Sequence, residues 1–418
     1  MGRGAQAGRR SGQSVRLRGF VAADGVYDSG LTTLSREGFA TTGGSPGVET
    51  RWGAYGGRND RRSAVGLDYQ GDYRYYSKAA TWNGTNQILT LTYAAQPFRR
   101  VNFDVGAVAG TTNRAFGGAT PGQGLASSVA SGIGSNIGQL AVPNTSLFDV
   151  RTNYLGGNGS VTFIHSARLS SNFSGSGFTV RRRNRLPGVD GVIGRADLSY
   201  RLNRRSTIGL DVSFSKFDYT NLFGDTNVVD PGVLYSLQVG RNFEFGLRGG
   251  VMRIESFGVK QVNFEPEIAA LLGVGQTTEI FYLRTYQASG GAQLLRRFKR
   301  GSVHGQVQIA PNPGNGLILA SRQVQTVASG DYRVTRQLSL QVSGGVTRLR
   351  SVTSLAGNYQ QYFFGGGFGY KINRAVEFHA RVDRRVAQLQ TTSKANLNGT
   401  RFMVGIAYSP SDVPLQLW

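Results

Sequence analysis

The segment Tyr200-Arg201-Leu202-Asn203-Arg204 is one of three copies of a short pattern in this 418-residue chain. The other copies are Tyr332-Arg333-Val334-Thr335-Arg336 and Tyr370-Lys371-Ile372-Asn373-Arg374. In each copy an aromatic residue ends a stretch of alternating apolar and polar residues, a cationic and polar cluster follows, and a new alternation begins at once. Alternation with a period of two is typical of β-strands, and a polar cluster between two such stretches is typical of a turn. The pattern therefore predicts a series of β-hairpins.

The clearest strand runs from Val65 to Tyr75, where apolar residues such as Leu67 alternate with polar residues such as Asp68. A soluble sandwich could bury the apolar face against a second sheet, so this strand alone does not distinguish a protein core from lipid. Over the whole chain the same pattern gives about 18 strands of about 10 to 15 residues each. Such strands are longer than most strands of soluble sheets and suit a tilted crossing of a bilayer.

The composition narrows the class of protein. Hydrophobic residues make up 39% of the chain, and no apolar run approaches the roughly 20 residues that a membrane-spanning helix needs. If the chain crosses a membrane, it must therefore do so with strands. The chain contains no cysteine, which rules out a disulfide framework and thiolate metal sites.

The formal net charge of +23 raises the question of nucleic acid binding. Segments such as Arg181-Arg182-Arg183 and Arg296-Arg297-Phe298-Lys299-Arg300 could neutralise phosphates. The cations are nevertheless concentrated in short turns and loops, and no recognition helix or aromatic RNA-binding motif is present in the sequence. We therefore do not expect a nucleic acid partner.

Two kinds of connection alternate along the chain. Short turns are expected near Leu202 to Arg205 and Thr335 to Gln337, and longer segments at Ser29 to Gly47, Thr111 to Tyr154 and Phe257 to Thr278. Both chain ends fall on the side of the short turns. Short turns on one rim and long loops on the other are typical of an outer-membrane barrel.

In these features the chain resembles the bacterial outer-membrane β-barrel superfamily, in particular large porin-like barrels, over Val15 to Tyr408. The resemblance implies a closed antiparallel transmembrane β-barrel of about 18 strands, with short periplasmic turns and long extracellular loops. It divides the chain into a basic N-terminal tail (1–14), the barrel (15–409) and a C-terminal tail (410–418). It also implies an export signal, which the basic and polar segment 1–14 does not resemble, so we expect a truncated or mis-started chain.

If the apolar face of each strand meets lipid, the opposite face lines a lumen. The charges expected there are of both signs and nearly cancel, so strong anion selectivity does not follow from the net charge. An alternative is that the same residues cross-link neighbouring strands inside a wet lumen. The candidate lumen-lining residues are Arg16, Arg18, Glu49, Arg51, Asp68, Asp72, Arg74, Asp104, Arg195, Asp197, Asp211, Arg248, Glu377, His379, Arg381, Asp383, Arg385 and Arg401.

Aromatic residues beside the short turns predict a periplasmic aromatic girdle, formed by Tyr93, Tyr200, Tyr332 and Tyr370. Cations clustered in those turns could bind acidic headgroups of outer-membrane lipid, or they could keep the turns soluble. The resemblance also suggests that the segment 111–154 folds into the barrel as a constriction, although its small uncharged residues are equally compatible with a position outside it.

Catalysis finds little support in the sequence. His165, His304 and His379 are far apart, and none has a metal-binding spacing. His379 shares its side of a strand with Glu377 and could be oriented by a carboxylate, which leaves a barrel hydrolase as an alternative. We expect no catalytic residues, no metal and no cofactor.

The sequence thus predicts a passive channel for small hydrophilic solutes in a bacterial outer membrane. The main alternative is a non-transporting surface protein that serves adhesion or envelope anchoring. Because barrels of 16 or 18 strands are often trimeric, a homo-oligomer is a candidate assembly.

Overall fold

A computed structural model describes residues 15–35, 38–112, 151–182, 188–220, 223–240, 242–263, 276–312, 321–351, 358–390, 394–410 and 413–415. Within these ranges no helix is long and apolar enough to cross a membrane. A short 3-10 helix spans Ala80–Trp82, and the strands are β1 (Val15–Asp28), β2 (Leu31–Ser35), β3 (Gly38–Thr42), β4 (Ser45–Asn59), β5 (Ser63–Tyr76), β6 (Gly84–Phe98), β7 (Val101–Thr112), β8 (Thr152–Ile164), β9 (Leu169–Arg182), β10 (Gly188–Arg201), β11 (Ser206–Thr220), β12 (Gly224–Val239), β13 (Phe243–Asn263), β14 (Gln276–Arg297), β15 (Gly301–Asn312), β16 (Ser321–Arg333), β17 (Leu338–Ser351), β18 (Asn358–Lys371), β19 (Val376–Gln390), β20 (Lys394–Tyr408) and β21 (Val413–Leu415).

The strands close into a barrel. Strand β1 pairs antiparallel with β4 on one side and with β20 on the other, so that Val21 lies opposite both Trp52 and Tyr408. Consecutive strands from β4 to β20 pair antiparallel with one another, and with β1 they form an all-antiparallel ring of 18 strands. The predicted fold class and strand number are confirmed. Closure pairs the two edge strands and so removes the exposed edges of the sheet.

Two elements stand outside this ring. Strands β2 and β3 pair only with each other and form a small hairpin within the connection between β1 and β4. Strand β21 pairs with the beginning of β1, where Val15 lies opposite Leu415. The segment predicted as a C-terminal tail therefore contains a short strand.

One face of the strands is apolar and exposed. In β11, Leu210, Val212 and Phe214 are 45–61% exposed, whereas Asp211 and Ser215 between and beside them are 5% exposed. The strand alternates because successive side chains point to opposite faces of a sheet. Other large apolar side chains exposed on the same face of the barrel include Val21, Val65, Val105, Val192, Val251, Val342, Phe364, Phe402, Val404 and Ile406.

Side-chain contacts that skip a strand show which face is concave. Arg248 of β13 bonds Asp211 of β11 across β12, and Arg381 of β19 bonds Ser343 of β17 across β18. Neighbouring strands lie about 4.8 Å apart, so side chains two strands apart meet most readily on the inside of a curved sheet. The polar face is therefore the inner face, and the exposed apolar face is the outer surface.

The fourth residue of the repeated pentapeptide is a hydrogen-bond acceptor in the turn. Asn203 accepts hydrogen bonds through Oδ1 from the backbone N–H groups of Arg205 at 2.7 Å and Ser206 at 2.8 Å. Asn373 and Thr335 accept the equivalent pairs of bonds in their own turns. Asparagine and threonine are suited to this position because their short side chains can hydrogen-bond the backbone two and three residues ahead.

A fourth turn of the same kind joins β8 to β9. Ser166 Oγ accepts hydrogen bonds from the backbone N–H groups of Arg168 at 3.2 Å and Leu169 at 3.0 Å. Phe163 stands three residues before this serine, as the tyrosines do in the other copies. The pentapeptide pattern does not identify this fourth copy in the sequence, because serine replaces asparagine and phenylalanine replaces tyrosine.

The expected connection from Phe257 to Thr278 is shorter than predicted. Strand β13 continues to Asn263 and β14 begins at Gln276, and the two pair along this whole extension. Strand β12 pairs with β13 only as far as Gly258, so the β13–β14 ribbon extends beyond its neighbour. The extension is rich in Val, Thr and Ile, which favour strands.

Candidate functional site

Buried charges form a first network on the inner face of β20, β1, β4 and β5. Glu49 forms salt bridges with Arg401 and, at 3.7 Å, with Arg74. Arg74 also lies 3.2 Å from Asp72. The side chains of Glu49, Arg74 and Arg401 are at most 7% exposed. Four of the predicted lumen residues are thus brought together as a compensated cluster, since each buried charge has an opposite charge beside it.

A second network lies on β10 to β14. Asp211 forms salt bridges with Arg195 at 3.2 Å and with Arg248 at 2.9 Å. Arg248 also bonds Asp230 at 3.0 Å, and Ser289 donates to the same carboxylate. A third and smaller group consists of Arg381 and Asp383, 2.8 Å apart on β19. Neighbouring inner charges are therefore largely neutralised by one another.

His379 lies between a carboxylate and a guanidinium. Its Nε2 atom is 2.5 Å from Asp24 Oδ1 and 2.8 Å from Arg51 Nη2, and Arg51 Nε donates to Asp24 Oδ2 at 2.8 Å. A carboxylate does orient the histidine, but it comes from β1 and not from Glu377. Its contacts in the described part of the chain are a carboxylate and a guanidinium, and no hydroxyl or thiol group is among them.

The other predicted lumen residues have varied surroundings. Asp68 accepts a hydrogen bond from Gln70 at 3.2 Å, and Asp197 accepts one from Asn172 at 3.0 Å. Arg385 is buried, Arg18 is exposed, Asp104 is half-buried beside Ser160, and the Glu377 carboxylate lies near Gly369. The side chain of Arg16 lies outside the described part of the structure, although its backbone pairs with Gly57.

Sequence reasoning missed three buried acids on the inner face, Asp24, Asp28 and Asp230. A signal was present for two of them. Asp24 and Asp28 are an even number of residues from Arg18 in β1, so they point to the same side of the strand.

The inner face of β14 to β18 is different in kind, because most of its side chains are uncharged amides and hydroxyls. Gln306 Nε2 donates to Gln308 at 3.4 Å, and Gln323 Nε2 donates to Gln325 at 3.3 Å. A search of the sequence for charged residues does not detect this part of the inner face. Its glutamines are Gln287, Gln293, Gln306, Gln308, Gln323, Gln325, Gln341 and Gln361.

Exposure of the inner face changes along the barrel. Gln293 and Gln341, near the short turns, are exposed on the inner face, as is Gln308 near mid-height. Near the opposite rim, Leu349 is fully buried and Tyr359 is 3% exposed. Water therefore reaches the inner wall in the half near the short turns, whereas the wall is covered in the other half.

Described connections at that covered rim fold against the inner wall. Leu31 and Trp82, which follow β1 and β5, pack in one buried cluster with the inner-face residues Tyr76 and Met403. They narrow the barrel at this rim. The segment predicted as a constriction, 111–154, has residues 113–150 outside the described part of the chain.

The four girdle tyrosines lie on the outer face. Tyr93, Tyr200, Tyr332 and Tyr370 are 41–49% exposed. All four stand close to the short-turn ends of their strands, between two and six residues from the turn. An aromatic residue at this level suits a membrane–water interface, since its ring is apolar and its hydroxyl is polar.

A closed barrel with an apolar exterior and a polar, partly wetted interior is a structure in which every strand is paired and lipid can cover the outside. This is a closed, all-antiparallel β-barrel of 18 strands. A ring of 18 strands is wide enough to enclose a lumen.

Comparisons with known proteins gave matches among solved structures. Neither a protein-family model nor a curated protein matches the chain. Among solved structures, OccK2 (OpdF) of Pseudomonas aeruginosa is similar at 10% sequence identity and a TM-score of 0.42, over 94% of this chain and 98% of that one. OccAB3 of Acinetobacter baumannii is similar at 10% identity and 0.39, over 94% and 99%. The ferric-catecholate import receptor Fiu of E. coli K12 is similar at 10% identity and 0.43, over 96% and 82%.

Proposed function

We propose that the chain is a passive outer-membrane channel for small hydrophilic solutes. The observation that carries this proposal is the exposure of Gln293, Gln308 and Gln341 on the inner face, because solvent at these positions requires a lumen wide enough for water. No chemical step is involved: solutes would diffuse through a polar interior whose width is set by the inward-folded connections near Leu31 and Trp82.

The inner wall favours uncharged solutes over organic anions. The arginines Arg51, Arg248 and Arg381 each face a carboxylate within 3.0 Å, so their charge is already compensated. The amide wall of β14 to β18 offers donors and acceptors to a passing hydroxyl or amide group without adding charge. A neutral polyhydroxylated solute would exchange its water hydrogen bonds for these.

Planar bilayer recording tests the proposal. We expect purified, folded protein to give stepwise currents, with a reversal potential near zero in a potassium chloride gradient because the wall charges are balanced. The triple variant Q293E/Q308E/Q341E adds three carboxylates to the wetted wall and should shift the reversal potential towards cation selectivity. The neutral variant Q293N/Q308N/Q341N is the matched control and should leave selectivity unchanged.

Folded protein that inserts into the bilayer without stepwise current would contradict the channel. That result would favour the alternative, a surface protein whose interior is filled. Equal reversal potentials for the carboxylate and asparagine variants would show that ions do not pass along the amide wall.

A further inference from the structure

Three arginines form a cationic patch on the outer face, near the rim away from the short turns. Arg322 lies on β16, and Arg348 and Arg350 lie on the neighbouring strand β17. Their side of each strand is fixed by register: Arg348 is an even number of residues from Val342, which is 62% exposed on the outer face. Arg322 pairs directly with Arg350, so it shares that face.

The patch is electrostatically incomplete. Side chains directly opposite in an antiparallel pair have Cβ atoms about 5 Å apart, and like charges at such positions destabilise the pair. Arg322 and Arg350 occupy such positions, with Arg348 two residues away on the same face. No salt bridge joins any of the three to a carboxylate in the described ranges, and Arg322 Nε is buried there without a hydrogen-bond partner.

Three other outward cations at a similar height are neutralised within the chain. Arg181 donates two hydrogen bonds to Asp190, at 2.7 and 2.9 Å. Arg253 and Arg284 both contact Glu255. Arg322, Arg348 and Arg350 differ from these three arginines because no acid pairs with them in the described ranges, although they lie together on two neighbouring strands.

The height of the patch indicates what its counter-ion is. Arg348 is ten residues along β17 from Leu338, which at the usual strand rise and tilt is about 25 Å from the short-turn rim. The apolar band of outer-membrane barrels is also about 25 Å tall. Below the patch the exposed residues Val342 and Phe364 would face acyl chains, so the arginines would stand at the level of lipid headgroups.

We propose that Arg322, Arg348 and Arg350 form a binding site for a phosphorylated lipid headgroup of the outer leaflet, in the class of a bis-phosphorylated glycolipid. Phosphate oxygens accept hydrogen bonds from several guanidinium groups at once, which relieves the repulsion between the paired arginines. The site rests on the barrel lying in a membrane, but it does not depend on solute passage through the lumen.

Titration of the delipidated barrel in detergent with a bis-phosphorylated glucosamine-disaccharide lipid tests the site by native mass spectrometry. Each arginine near a lipid surface contributes about fivefold to binding, so R322Q/R348Q/R350Q should weaken binding about a hundredfold. The control variant R181Q/R253Q/R284Q removes the same charge at the same height and should weaken binding by less than about threefold. If the triple variant folds poorly, R348Q/R350Q changes only exposed side chains and should still weaken binding more than tenfold.

Equal binding by wild type and the patch variant would overturn the proposal, as would an equal loss in the patch and control variants. Inorganic phosphate is the second probe. Failure of millimolar phosphate to displace the lipid supports a lipid site, whereas displacement at concentrations equal to that of the lipid would overturn the lipid assignment. Single-channel conductance should be the same in all variants, so a failure of the channel proposal and a failure of this site can be told apart.

Discussion

Replacement of Glu49 by Gln is expected to lower the free energy of unfolding by about 3–5 kcal/mol. The carboxylate sits between the guanidinium groups of Arg74 and Arg401, and all three side chains are at most 7% exposed. Removing the negative charge leaves two buried cations beside each other, and among the described residues Asp72 and the more distant Asp28 are the acids that still face them. Urea unfolding of protein folded into lipid vesicles, followed by tryptophan fluorescence, measures the change.

Glu244→Gln is the matched control. Glu244 pairs with Arg297 at 2.8 Å, but the two side chains are 39% and 51% exposed. Water screens such a pair, so this change should cost about 0–1 kcal/mol. Equal costs for the two variants would contradict the account of the inner network as a buried and mutually compensated cluster.

Val342→Arg is expected to cost about 2–4 kcal/mol when the protein is folded in a bilayer. Val342 is 62% exposed on the outer face, four residues from the start of β17. In lipid a guanidinium at this depth lacks water and hydrogen-bond partners. The same urea unfolding experiment in vesicles measures the loss.

Gln341→Arg controls for the substitution itself, because Gln341 is the preceding residue and lies exposed on the inner face. It is paired in register with Asp331, and a new arginine there would remain in water. We expect a change within about 1 kcal/mol. A large cost at both positions, or at neither, would contradict the assignment of the two faces.

The fold could be predicted from the sequence because of two local features, the hydrogen-bonding residues of the turns and the alternation of apolar and polar residues in the strands. The repeated pentapeptide carries its own turn acceptor at Asn203, Thr335 and Asn373, so each copy specifies a hairpin locally. Strand number and inner face followed from a period of two, which depends only on backbone geometry. The β13–β14 ribbon was misjudged because its polar residues suggested a loop, whereas its β-branched residues extend the strands.

The partners within the interior could not be predicted. Arg51 and His379 are separated by 328 positions in the sequence and by two strands in the barrel. Their contact exists because β1 joins β20 and because the wall is curved, and neither property is visible in a local pattern. The amide wall of β14 to β18 was missed for another reason. Charged residues were used to identify the lumen, and this wall consists mainly of uncharged polar residues.

The central claim is that lipid covers the outer face and water fills the inner face of these strands. The chain has no cysteine, so single cysteines at Gln341 and Val342 provide unique probes on opposite faces. The protein is folded in vesicles that contain no detergent. A water-soluble maleimide should then label Gln341→Cys rapidly and Val342→Cys very slowly. A lipid-soluble quencher should reduce the fluorescence of a fluorophore attached at position 342 and not of one attached at position 341. Rapid aqueous labelling at position 342, or equal labelling at both positions, would contradict the account.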